Sequence, residues 1–247
     1  MIMKHIKFIL LGIIWGASSI SMSAQNIQLH YDFGRHIYSH EESGRQSATI
    51  TLEQFKADKW GSWYYFVDVD LSSHFVESAY TEISREFTLG KESPFAAHVE
   101  FDGGLSRYSS FQQAALLGGA WNWHNSDFST TYSVQLMYKQ YFKSYSKGSA
   151  ENPMGTHAYA SAQLTGVWST KFLNKKCTFS GFIDFWRGEQ ANHHGQLVIL
   201  TEPQLWYHAN EHLSLGGEVE ISNHFIYNTY NDKSFFVNPT LAVKWAF

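Results

Sequence analysis

The chain has one cysteine and four prolines in 247 residues. A disulfide-stapled scaffold needs paired cysteines, and collagen-like or Pro-rich chains need far more proline. Charge is scarce as well. Asp, Glu, Lys and Arg make up 16% of the residues, against about 25% in soluble domains. The formal net charge of −4 provides no basic stripe for nucleic acid. Apart from the N-terminus, no apolar run approaches the about 20 residues of a helical span, which excludes a bundle of membrane helices. Sustained 3.6-residue periodicity is missing too. Aromatic side chains, in contrast, are abundant at 17%, with 19 Phe, 14 Tyr and 9 Trp, yet mean hydropathy is only −0.29. A disordered chain would show the opposite balance, few aromatics and many charges.

Lys4 and Lys7 precede the apolar run Phe8–Trp15, and small and polar residues follow from Gly16 to Ala24. This is the layout of a secretory signal peptide, residues 1–24, with cleavage expected after Ala24 or Ser23. Ile6–Ile20 is short for a membrane anchor and is interrupted by Gly12 and Gly16. The absence of a cysteine near the cleavage site excludes a lipoprotein. The mature chain, 25–247, loses Lys4 and Lys7, which takes the formal charge from −4 to −6. Cys177 is then the lone cysteine of an exported chain and has no internal disulfide partner.

The mature chain alternates with period two, the signature of strands with two different faces. In the last segment Phe235, Val237, Pro239, Leu241, Val243, Trp245 and Phe247 share one face, and Phe236, Asn238, Thr240, Ala242, Lys244 and Ala246 share the other. The alternation predicts twelve strands, at 27–38, 47–55, 60–71, 79–89, 95–104, 111–123, 128–143, 157–172, 177–187, 196–208, 213–225 and 235–247. They are long for a soluble sheet, where about 5–6 residues is usual, and match the about 9–11 tilted residues that a bilayer requires. Connections at 39–46, 72–78, 105–110, 144–156, 188–195 and 226–234 are longer and polar, whereas 56–59, 90–94, 124–127, 173–176 and 209–212 are short. Long loops at one end, short turns at the other and an even strand count describe an all-β, single antiparallel transmembrane barrel of the outer membrane. Trp63, Trp121, Trp123, Tyr207, Trp245 and Phe247 fall near strand ends, where interfacial girdles form. The ending Trp245-Ala246-Phe247 is similar to the C-terminal signal read by barrel-assembly machinery, so Trp245 and Phe247 are expected to serve as an assembly signal. Pro203 and Pro239 lie inside strands and call for bulges. Arg85 falls on the lipid face by strict alternation, where mid-depth placement costs about 2–4 kcal/mol, so a bulge or a place near the rim is expected. A soluble sandwich or lipocalin-like barrel would have the same alternation turned outside in.

In lipid the polar face points inward. It carries Asp32, Glu53, Asp68, Asp70, Glu82, Glu86, Glu100, Asp102, Asp184, Glu202, Glu218 and Glu220 against Lys139, Lys143 and Lys244. His30, His98 and His224 are expected beside them. Such a lumen repels anions and admits cations and neutral hydrogen-bonding solutes. Tyr64, Phe66, Tyr80, Tyr141, Tyr159, Phe182, Trp186 and Trp206 share the face, and rings beside carboxylates suit flat, hydroxyl-rich solutes. With about twelve strands a narrow pore and a plugged lumen are both open.

The stretch Trp60-Gly61-Ser62-Trp63-Tyr64-Tyr65-Phe66-Val67-Asp68 resembles the early motif of the nucleoside-specific channel-forming (Tsx-like) outer-membrane proteins, and Tyr80-Thr81-Glu82-Ile83-Ser84 resembles their Tyr-x-Glu-x-Ser strand. The specific motifs cover about residues 29–105. The resemblance implies a monomeric twelve-stranded barrel that takes up nucleosides through a narrow lumen, with Phe66, Asp68, Tyr80 and Glu82 facing that lumen. The expected partners are outer-membrane lipid, the barrel-assembly machinery and small polar solutes, with no nucleic acid and no cofactor. An outer-membrane lipid hydrolase would need Ser and His together on the lipid face near the rim. Ser109 and Ser110 have no facing His, and no catalytic residue is expected. The 13 histidines, including His193-His194 and the His208/His212 pair, lack Cys or carboxylate partners at ligand spacing, so no metal site is expected from them. The alternative to a channel is a structural or adhesive barrel with a plugged lumen.

Overall fold

The computed structural model describes residues 25–73, 75–90, 93–107, 110–143, 157–189, 195–226, 228 and 230–247. The expected signal peptide 1–24, the expected connection 144–156 and His193-His194 lie outside the described residues. Thirteen strands form one antiparallel sheet: β1 (Gln25–Asp32), β2 (Ala48–Asp58), β3 (Gly61–Ser72), β4 (Phe75–Thr88), β5 (Phe95–Ser106), β6 (Ala114–His124), β7 (Thr130–Tyr141), β8 (Tyr159–Phe172), β9 (Cys177–Glu189), β10 (Gly195–Thr201), β11 (Gln204–His208), β12 (Leu213–Asn223) and β13 (Phe235–Ala246). β10 and β11 are two halves of one stave. Both pair with β9 on one side and β12 on the other, and Glu202-Pro203 separates them. The sheet therefore has twelve staves. It closes where β1 meets β13, with Ile27 opposite Trp245 and Tyr31 opposite Leu241. Closure leaves no edge of unpaired backbone, as lipid requires.

The interior is polar and the exterior apolar. Among the described residues, 20 polar or charged side chains are buried against 11 hydrophobic ones. That is the inverse of a water-soluble core, and it excludes the soluble barrel or sandwich. Leu29, Leu117, Leu136, Leu205 and Leu241 all stand more than half exposed on the outer wall. No helix among the described residues is long and apolar enough to cross a membrane, which says nothing of a crossing made by strands.

Both ends of the described chain lie at the short-turn end, where the Phe247 N–H donates to the Gln25 carbonyl at 3.0 Å. Trp63, Trp121, Trp123, Tyr132, Tyr207, Trp245 and Phe247 ring that end, all outward and exposed. Such a belt suits the boundary between hydrocarbon and headgroups. Arg85 belongs to the same rim. It lies outward on β4, with its guanidinium 5.0 Å from the ring centroids of Trp63 and Phe87 and 2.8 Å from the Asp58 carboxylate.

Several boundaries differ from the sequence reading. The 72–78 connection is much tighter, because β4 begins at Phe75 and pairs it with Ser72. A register shift at Asp70/Leu71 absorbs one extra residue there, as a β-bulge does. The first strand ends at Asp32, and the chain continues into a single helical turn, α1 (Gly34–Ile37). Pro203 breaks its strand instead of sitting in a bulge. Pro239 keeps its place opposite Val219, and the Thr240 hydroxyl accepts the Glu218 N–H at 3.1 Å. Lys143 is exposed beyond β7 and does not face the lumen. His224 has also left the barrel wall: it follows β12 with φ of 57° and contacts the Leu197 carbonyl.

Candidate functional site

All twelve acidic residues expected on the polar face lie on the inward face of their staves, because each strand keeps its alternation across the bilayer-spanning stretch. Three groups organise the lumen.

At the loop end, Arg45 reaches in from the β1–β2 connection. Its guanidinium lies 2.8 Å from Asp32, 3.0 Å from Glu220 and 3.4 Å from Glu42. The fully buried Asn238 donates to Glu42 and Glu220 at 2.9 and 3.1 Å. The Tyr38 hydroxyl accepts the Val237 N–H at 3.2 Å, and Lys233 lies 4.0 Å over the Tyr38 ring. Burial favours the neutral Arg45 side chain, but the Glu220 and Asp32 carboxylates prevail and hold its pKa above the ordinary arginine value. Sequence reasoning missed Arg45 and Glu42 because they lie in a loop with no periodicity that would assign them a face.

On β1 and β11–β13, His30 stands 3.4 Å from Glu218 and at a 6.0 Å edge contact with the Trp206 ring. Lys244 lies 3.9 Å over the same ring. Gln204 bridges this group, donating to Glu218 at 3.0 Å and accepting from the Trp206 indole at 3.0 Å. Gln28 donates to Glu53 at 2.9 Å.

On β3–β5 and β7–β9, Lys139 pairs with Asp102 at 3.0 Å and donates to Gln163 at 2.8 Å. The Tyr80 hydroxyl donates to Glu82 at 2.9 Å. His98 bridges Glu86 and Glu100 at 3.3 and 3.1 Å. Asp70 accepts from Thr49 at 2.7 Å and Ser78 at 2.6 Å, Thr51 donates to Asp68, and Thr165 donates to Asp184.

Two features give the lumen its character. Tyr64, Phe66, Tyr80 and Phe111 follow one another with centroid spacings of 6.2, 6.1 and 6.2 Å, a track of rings rising along β3 and β4. Asp68, Glu82 and Asp70 flank it. Opposite the track, Glu202 feels the charges of Glu218, Glu220, Asp68 and Glu82. Glu82 and Glu202 belong to staves six apart in a ring of twelve, so carboxylates face the lumen from opposite sides. At the turn end an open cleft of about 410 Å³ is lined by Lys171, Lys175, Lys176, Thr178, His208, Asn210 and Glu211.

A family profile described as a domain of unknown function (DUF5020) matches residues 24–247. The chain belongs to the DUF5020 family. A search of the curated proteins finds no relative of this DUF5020 chain. Among solved structures, the NanC porin is 11% identical over 90% of this chain and 98% of its own, with a TM-score of 0.58. The KdgM porin is 15% identical over 91% of this chain and 99% of its own, with a TM-score of 0.46. The same porin in complex with disordered oligogalacturonate is 15% identical with the same coverage and a TM-score of 0.48. The likeness to NanC assigns this DUF5020 protein the fold of an outer-membrane porin.

Proposed function

We propose that the barrel is a passive outer-membrane channel for small polar solutes, reached by signal-peptide-dependent export, and that nucleosides are its solute class. The observation that carries this reading is the track of Tyr64, Phe66, Tyr80 and Phe111 flanked by Asp68, Asp70 and Glu82. A base stacks on rings of this kind, and carboxylates accept hydrogen bonds from ribose hydroxyls. The Tsx-like motif places Phe66, Asp68, Tyr80 and Glu82 in the same region. Inward acids outnumber the bases Lys139, Lys244 and Arg45, so the local potential favours cations over chloride.

The test is reconstitution of the purified protein in a planar bilayer, with and without nucleosides. Replacing Asp68 and Asp70 with Asn should reduce the cation preference and weaken binding of a neutral nucleoside only modestly. The contrast should be sharpest at low salt, where the Debye length exceeds about 10 Å. Phe66→Ala should do the reverse, losing about 1–3 kcal/mol of stacking. Reversal potentials unmoved by the double Asn variant would refute the charged constriction.

One observation favours a second reading, a plugged barrel with a structural or adhesive role. The Arg45 clamp ties the β1–β2 loop to the wall across the loop end. A folded barrel with no measurable conductance would decide for it.

A further inference from the structure

We infer that Glu82, Glu100 and Asp102 form a binding site for a divalent cation, of the Ca²⁺ class, on the inner wall of the barrel. Glu82 and Asp102 are directly opposed across the β4–β5 ladder, and Glu100 is the neighbour of Asp102 on the same face. Like charges in directly opposed positions destabilise a sheet, and one lysine, Lys139, stands against the three carboxylates. One oxygen from each of the three carboxylates can be chosen so that all lie within 4.8 Å of one another.

The deciding observation is Asp102. Its side chain is 6% exposed, its Oδ2 is held by Lys139 at 3.0 Å, and its Oδ1 is buried with no hydrogen-bond donor among the described residues, where the Glu100 carboxyl is the neighbouring acceptor. An orphaned carboxylate oxygen costs free energy unless something positive reaches it. Lys139 does not do so, because its ammonium is already shared between Asp102 Oδ2 and Gln163.

The three carboxylates are also fixed from behind. Tyr80 donates to Glu82, His98 contacts Glu100, and Lys139 holds Asp102. Groups of this kind orient metal ligands. An all-oxygen donor set selects a hard cation. Ca²⁺ takes oxygens at about 2.3–2.6 Å in flexible geometry, so three carboxylates whose oxygens all lie within 4.8 Å of one another can close on it with a small side-chain adjustment. Mg²⁺, at about 2.0–2.1 Å, requires every pair within about 4.2 Å and octahedral geometry.

The site stands independently of whether the barrel conducts. The full mature chain, refolded in detergent and checked for heat-modifiable mobility, is titrated with Tb³⁺ while Tyr and Trp are excited. Tyr80 touches Glu82 and should sensitise the emission. One saturable site is expected, displaced by Ca²⁺ and far less by Mg²⁺. Asp102→Asn and Glu100→Gln should each weaken it at least about tenfold, and Tyr80→Phe should dim the emission. Asp127→Asn, in the β6–β7 turn, should leave the affinity unchanged, because that acid pairs with Lys175 outside the lumen.

A folded wild-type barrel with no saturable signal overturns the site and assigns the excess negative charge to a shared proton instead. Equal affinity in wild type and Asp102→Asn also overturns it. If neither variant folds, the wild-type titration and its Ca²⁺ displacement still decide. Cation binding without conductance would support the site and refute the channel, whereas conductance without binding would do the opposite.

Discussion

Arg45 makes the sharpest prediction about how the loop end is held. Its guanidinium is 23% exposed, while its partners Asp32, Glu42 and Glu220 are 8%, 1% and 12% exposed. Arg45→Ala leaves three carboxylates crowded and uncompensated at the mouth of the barrel. Removing one partner of a buried ion cluster typically costs about 3–5 kcal/mol, because the remaining charge is stranded. At a urea dependence of about 3 kcal/mol per molar, the unfolding midpoint should fall by about 1–1.7 M. If the loss is confined to the loop, it should appear instead as faster amide exchange at Val237, whose N–H is held by the Tyr38 hydroxyl. Glu220→Gln should cost less, since it also relieves repulsion, and the double variant should show a coupling of about 0.5–3 kcal/mol. Arg45→Ala with an unchanged midpoint and unchanged Val237 exchange would refute the clamp, as would strict additivity with Glu220→Gln.

Other outcomes follow from the same structure. Phe247→Ala removes the exposed ring that ends the closing stave and should lower the yield of folded, heat-modifiable barrel in outer membranes; normal yield and gel mobility would count against an assembly role. An epitope inserted after Gly148 should be labelled on intact cells, and one at Asn125 in the β6–β7 turn should not; the reverse would invert the barrel. Burial raises the Glu42 carboxyl above its ordinary range against the pull of Arg45 and the Asn238 hydrogen bond. Its contribution to loop docking is thus full below the ordinary glutamate pKa and is lost as pH rises through the raised value. Glu42→Gln should flatten the dependence of the urea midpoint on pH across that window.

The fold was legible because a barrel wall obeys one rule along its length. In β13 the rule puts Leu241 and Val243 outside and Asn238 and Ala242 inside, and the structure exposes the first pair and buries the second. The same rule placed the inward acids and the ring of Tyr64, Phe66 and Tyr80. It fails where the backbone leaves the ladder. Arg45 and Glu42 occupy a loop, so no period assigned them a face, and Phe111 joins the aromatic track from the β5–β6 connection. Ser72-Ser73-His74 reads as loop chemistry, yet the strand resumes at Phe75, whose φ of 83° turns the chain within a few residues. Burial of a particular oxygen, such as Asp102 Oδ1, depends on three staves at once and leaves no trace in the spacing of one.

Pro203 and Pro239 occupy the two staves that flank β12, and neither can donate a ladder hydrogen bond. Between them the Val219 N–H turns to the Pro203 carbonyl, and the Glu218 N–H is taken by a threonine hydroxyl in place of a backbone carbonyl. The backbone ladder is therefore interrupted along one vertical sector, beside Glu202 and Glu218. Where the ladder is interrupted the amides lack part of their protection, so hydrogen exchange should run faster beside the two prolines than along the continuous β7–β8 ladder.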